Sequence, residues 1–124
     1  MTEPVYNYDE GSDTLYIAFA PDEHATGIEL TDHILLRINT RERRAVGITL
    51  FDYSILAQQT ELGPRNFPLT GLATMPTATR EVVLDILLQS PVREILALSA
   101  YTPTLTETTP IIAVQPLTIT ASMP

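Results

Sequence analysis

An α+β fold is predicted, with an antiparallel five- to six-stranded sheet in meander order covered by two helices, and three features of the sequence predict it. Apolar residues alternate with polar ones in five short segments between Val5 and Leu50, the period of half-buried strands. The connections between those segments are short, so the strands can pair antiparallel without a crossover helix. After Asp52 the apolar period becomes helical twice, near Ile55 and between Thr77 and Gln89, which supplies the cover that a one-sided sheet needs.

Val5 to Tyr8 opens the first strand. Asp9-Glu10-Gly11-Ser12-Asp13 is a tight turn whose acids can accept bonds from nearby backbone N–H groups. Leu15, Ile17 and Phe19 then share a face until Pro21, which lacks the N–H for a ladder. Gly27 to Leu30 is a third strand. Ile34, Leu36 and Ile38 line a fourth, and Asn39 to Arg44 is a charged hairpin tip. Val46, Ile48 and Leu50 line a fifth. Asp52 or Ser54 is expected to cap a short helix through Ala57. Residues 60–78 hold three Pro and two Gly and read as irregular. Thr77 or Thr79 caps a second helix with Val82, Val83, Ile86 and Leu87 on its apolar side, stopped by Pro91. Glu94 to Tyr101 reads as a strand, Thr102 to Pro110 as a Thr/Pro-rich loop, and Ile111 to Val114 and Leu117 to Ile119 as short strands.

The 124 residues suit one domain, residues 5–57 forming sheet and short helix and residues 58–124 the loop, second helix and last strands. A chain of this length buries roughly two thirds of its unfolded surface and holds a core without staples. There is no Cys, which removes disulfides and thiolate metal sites and fits a reducing compartment. Neither a signal sequence nor a bilayer-length apolar run is evident, so a soluble cytoplasmic protein is expected. The net charge of -8 opposes nucleic acid and anionic lipid as partners. All seven basic residues are Arg, and the first 32 residues carry eight carboxylates and no Arg.

The run Tyr8-Asp9-Glu10, Asp13-Thr14-Leu15-Tyr16-Ile17, Thr31-Asp32-His33-Ile34-Leu35-Leu36 and Val46-Gly47-Ile48-Thr49-Leu50 resembles a family of small bacterial proteins catalogued as a domain of unknown function. The usual form there is Tyr-Asp-x-x-x-Asp-x-Leu-Tyr-Ile, an acidic connection, Ile-Leu-Leu, then Val-x-Gly-Ile-Glu-Ile-Leu. The resemblance covers residues 5–57 and implies a fold without an activity. Thr49 stands where the family often has Glu, and Arg41 to Arg44 where it is often acidic. Members beside small toxin-like proteins imply an antitoxin or partner role.

No residue pattern demands a particular chemistry. Asp9, Glu10 and Asp13 lack the spacing of a calcium loop, since Gly11 falls third and Ala20 twelfth. His24 and His33 form no zinc signature, and no nucleophile elbow or phosphate-binding glycine loop is present. No catalytic residue, metal ligand or cofactor is therefore assigned. Arg41, Arg43 and Arg44 can fork onto carboxylates, and Tyr16 belongs to a stripe with Tyr6, Tyr8 and Tyr53 expected on the face opposite Leu15 and Ile17. These residues are the candidate interface of a non-enzymatic interaction module forming a homodimer, the Arg tip of one copy meeting the acidic N-terminal third of another. An antitoxin-like partner protein, and a small-ligand binder or enzyme with an unrecognised site, are the alternatives.

Overall fold

The computed structural model describes residues 4–20 and 23–115. Pro21, Asp22 and the expected strand Leu117–Ile119 lie outside them. Five strands, β1 (Val5–Asp9), β2 (Thr14–Ala18), β3 (Thr26–Thr31), β4 (Ile34–Asn39) and β5 (Arg44–Phe51), form one antiparallel sheet. The α+β class is as the alternation predicts. The strand order is not that of a simple meander: it runs β1-β2-β5-β4-β3, with β5 between β2 and β4. Two cross-strand rows explain the preference. Leu15, Leu50 and Ile34 stand in one register, and Ile17, Ile48 and Leu36 in the next, all essentially buried. Placing the longest strand of the sheet, β5, in the centre gives it neighbours on both sides and buries six consecutive residues. Gly47 permits the approach, since a Cβ there would lie 2.8 Å from the Ile17 carbonyl oxygen.

This order makes the β2–β3 connection cross the ends of β5 and β4, three strand spacings or roughly 14 Å. Seven residues span that distance easily. Glu23 pins the crossing: it accepts bonds from Asn39 Nδ2, at the end of β4, and from Arg44 Nη2 at 2.5 Å, at the start of β5. Asn39 and Arg44 together hold the Glu23 carboxyl below its ordinary 4.5.

Helix α1 (Tyr53–Leu56) follows β5. Asp52 occupies its N-cap position with φ 56° but makes no side-chain cap bond. The cap comes from the β1–β2 turn. The Asp13 carboxylate accepts from Ser54 N–H (3.1 Å) and Ser54 Oγ (2.6 Å), and also from Tyr8 Oη (2.6 Å). Those bonds, Ser54 first and Tyr8 second, lower the Asp13 pKa. Reciprocally, Asp13 pushes Tyr8 up to about 12.

Residues 59–74 are less irregular than their composition suggests. They include the short pair β6 (Gln59–Thr60) and β7 (Gly63–Pro64), the strand β8 (Phe67–Pro68) and a 3-10 turn at Thr70–Thr74. Gly71 lets that turn lie directly on β3, because a Cβ there would sit 1.8 Å from the Glu29 carbonyl oxygen. Helix α2 (Thr77–Leu87) has Pro76 at its N-cap and no side-chain cap, and it ends before Pro91. Val83, Ile86 and Leu87 bury into the core while Leu88 is exposed. Val82 and Leu84 pack against the core partly buried, so the apolar side is the one that the helical spacing predicts.

The Thr/Pro-rich stretch expected as a loop is mostly strand. β9 (Leu96–Thr104) and β10 (Glu107–Val114) form a hairpin, and with β8 a second sheet ordered β8-β10-β9. The β-propensity of Thr prevails, and the prolines occupy tolerant places. Pro110 faces β8, where its carbonyl accepts from Leu69 N–H. Pro103 sits where the ladder shifts register opposite Glu107–Thr109. One cluster of buried side chains runs from Leu15 to Val114 and joins both sheets with α2.

Truncating Ile48 to Ala is expected to cost about 2–5 kcal/mol in denaturant melts, as for buried aliphatic residues generally. Leu62→Ala, at a fully exposed position, is expected to change stability by less than about 0.5 kcal/mol. Equal costs would mean that the rows around β5 are misassigned.

Asp13 and Glu23 both titrate lower in the fold than their ordinary 3.8 and 4.5. Their contribution is complete above those ordinary values and disappears as pH falls through the lowered ones. Melts from pH 6 downward are expected to show a steeper acid loss in the parent than in an Asp13→Asn, Glu23→Gln double variant. In alkaline absorbance titration, Asp13→Ala is expected to bring Tyr8 down from about 12 toward its ordinary 10.

Candidate functional site

The expected site residues do not converge. Arg44 Nε bonds Glu42 Oε1 at 2.8 Å while its Nη2 holds Glu23. Arg43, in the left-handed region at φ 53°, reaches Asp85 of α2 at 3.6 Å. The acidic N-terminal third and the Arg tip therefore do meet, but inside one chain. Arg41 is exposed and makes no ion pair among the described residues. Tyr16 lies on the outer face of the sheet, away from Leu15 and Ile17, paired with Asn7 and Thr49 and 44% exposed.

The tyrosine stripe is a correction. Tyr6 stands opposite Ile17 and Tyr8 opposite Leu15, so both belong to the core face and pack there half-buried. The turn length between Asp9 and Thr14 sets that register, and shifting it by one residue would reverse every face. Tyr53 packs edge-to-face on Tyr8 with ring centroids 6.0 Å apart. Of the four, Tyr16 alone is on the outer face.

His33 Nδ1 lies 3.1 Å from Asp52 Oδ2, both side chains about half exposed. His24 is exposed. Among the described residues no three His, Asp or Glu side chains gather as metal ligands, and no helix is long and apolar enough to cross a membrane.

Two features remain that can recognise something. The first is a cleft of about 900 Å³ between the Glu23–Arg44 clasp and the segment following α2. Its floor includes Phe19, Ala45, Ile86 and Val92, all at most 8% exposed. Glu23, Arg44, Ser90 and Glu94 give it polar walls, and Ser90 Oγ donates to Glu94.

The second is the free edge of β9. Because the Pro110 carbonyl is directed at β8, strand alternation directs Ile111 and Ala113 at β9, and their partners Ser99 and Ala97 at β10. The bond from Gln115 N–H to the Ile95 carbonyl, 2.8 Å, has the same phase. The backbone groups of Leu98 and Ala100 consequently point away from β10. They have no backbone partner among the described residues. Ser99 to Thr108 are all exposed, including Tyr101 at 58% and Leu105 at 100%.

The sequence signalled this edge without its being read. From Ile95 to the end of the chain the only charged residue is Glu107, an unusual freedom from charge in an exposed hairpin. No comparable local signal marks the cleft, whose walls come from separate segments between Pro4 and Ile95.

No curated protein and no solved structure matches the chain. The family comparison meets the fold at its five-stranded sheet. Residues 6–54, from β1 to the first turn of α1, match a family described as "Protein of unknown function (DUF2283)", and across that sheet the chain is similar to this uncharacterised domain family.

Proposed function

We propose that the protein is a non-enzymatic interaction module that works as a homodimer, two copies joining through β9. The observation that supports this reading is the edge at Leu98 and Ala100, whose backbone groups have no backbone partner among the described residues. A strand edge with unpaired N–H and C=O groups is a template for another strand, and soluble proteins usually block such edges with charge, proline or a covering segment. Here β9 carries no charge, and Pro103 lies beyond the two residues whose groups face outward. By contrast, of the two edges of the larger sheet, β3 lies under the turn containing Gly71 and β1 is short and ends in the charged Asp9.

A second copy suits this edge better than a charged partner does. Two chains of net charge -8 repel, and β9 is where they can approach with least opposition. A two-fold axis beside Ser99 sets Leu98 of each copy against Ala100 of its partner, repeating each bond. That joins two three-stranded sheets into one of six strands. It also directs the hairpin tips, with Glu107, away from each other. Arg43 and Arg44 already spend their charge on Asp85, Glu23 and Glu42, so this seam replaces the Arg tip as the preferred contact.

Light scattering is expected to give about twice the 13.7 kDa of one chain. Ala100→Pro removes an outward N–H and leaves the β9–β10 ladder whole, so it is expected to yield folded monomers with unchanged circular dichroism. Ser99→Pro removes an inward N–H and is expected to lower the melting temperature instead. A parent protein that stays at 13.7 kDa at every concentration would refute the dimer. A dimer untouched by Ala100→Pro would refute this seam.

A further inference from the structure

We propose that the cleft beside the Glu23–Arg44 clasp binds a small organic cation, a primary amine carried on an apolar body. The site is separate from the β9 edge, and the proposal does not depend on a dimer. Its volume, about 900 Å³, lies within the range of roughly 300–1,000 Å³ typical of small-molecule sites. Phe19, Ile86 and Val92 form a packed apolar floor, and Tyr6, Ala20 and Pro91, half-buried beside it, leave apolar surface that a ligand can cover.

Charge selects the sign of the ligand. Among the described residues of the walls Arg44 is the single cation, and its guanidinium is bonded on both sides by Glu42 and Glu23. An anion would have to displace one of those carboxylates. Against Arg44 stand Glu23 and Glu94 in the walls, which leaves them one charge negative. Including the rim changes nothing: Glu42 adds one negative charge there, and Arg93, 3.5 Å from Glu94, adds one positive. Glu94 is paired with Arg93 at 3.5 Å, both side chains more than half exposed, so an ammonium group there competes with a long, solvated pair rather than a close one, and the chain's net charge of -8 favours its approach.

Tryptamine, indole-3-ethanol and indole-3-propionate are suitable probes, because they share an indole body and differ in charge. In ¹H–¹⁵N NMR titrations of the full chain, tryptamine is expected to shift the amides of Ala45, Ile86, Val92 and Ile95. The alcohol is expected to shift the same amides more weakly, and the propionate weakest of all. Glu94→Gln changes an exposed side chain and should leave the fold intact. It is expected to weaken tryptamine about fivefold, the scale of one exposed ion pair, without altering the affinity for the alcohol. Added salt is expected to reduce the preference for the amine. Equal binding of amine and propionate would overturn the proposal, as would shifts mapping outside the cleft or no shifts at all.

Discussion

The pairing of β5 on both of its sides is the constraint from which the rest of the structure follows. Leu50 and Ile48 each complete a three-strand row, with Leu15 and Ile34 or with Ile17 and Leu36. Burying β5 at the centre forces the β2–β3 connection across the strand ends, and the crossing needs a fastener. Glu23 supplies it by bonding both strands that it passes. The clasp then forms one wall of the cleft, and α2, drawn onto the same face by Val83, Ile86 and Leu87, carries Ile86 into its floor. A local preference for apolar neighbours thus produces a cavity with charged walls.

Much of this was legible in the sequence. The five strands of the larger sheet stand where alternation put them, because period 2 is a property of each segment alone. Their order was not legible, since antiparallel neighbours at similar spacing satisfy the same alternation in several arrangements. What decides between them is the two cross-strand rows, Leu15–Leu50–Ile34 and Ile17–Ile48–Leu36, which join residues distant in sequence. The tyrosine faces failed for a related reason. Composition showed Tyr6 and Tyr8 as amphipathic, and only the ladder register revealed that they share a face with Leu15 and Ile17.

The capping of α1 shows how a local rule can hold through a distant residue. Asp52 and Ser54 are good N-cap types, and either would satisfy the usual preference. Asp52 instead turns toward His33, and Asp13 caps the helix from 41 residues away. Asp13 and Asp52 both adopt positive φ, a conformation that Asp tolerates better than most residues. The acidic turn, expected to accept bonds from nearby groups, is occupied with the protein's own donors: Gly11 N–H and Ser12 Oγ on Asp9, and Tyr8 and Ser54 on Asp13.

Charge divides the molecule along its sequence, and the fold turns that division into two kinds of surface. The first 94 residues carry all seven Arg and all but one of the carboxylates. Several of these close onto one another, as Arg44 does with Glu23 and Glu42, and Arg43 with Asp85. What remains is a negative excess around the sheet, which opposes contact between copies. The last 30 residues hold only Glu107, and β9 presents its unpaired backbone within them. Hydrogen-bonding groups on a strand edge carry no net charge, so they attract another strand at any salt concentration, while the remaining negative field weakens as salt is added. Association through β9 should therefore strengthen with ionic strength, and amine binding in the cleft should weaken. The two surfaces respond oppositely because one depends on the backbone and the other on side-chain charge.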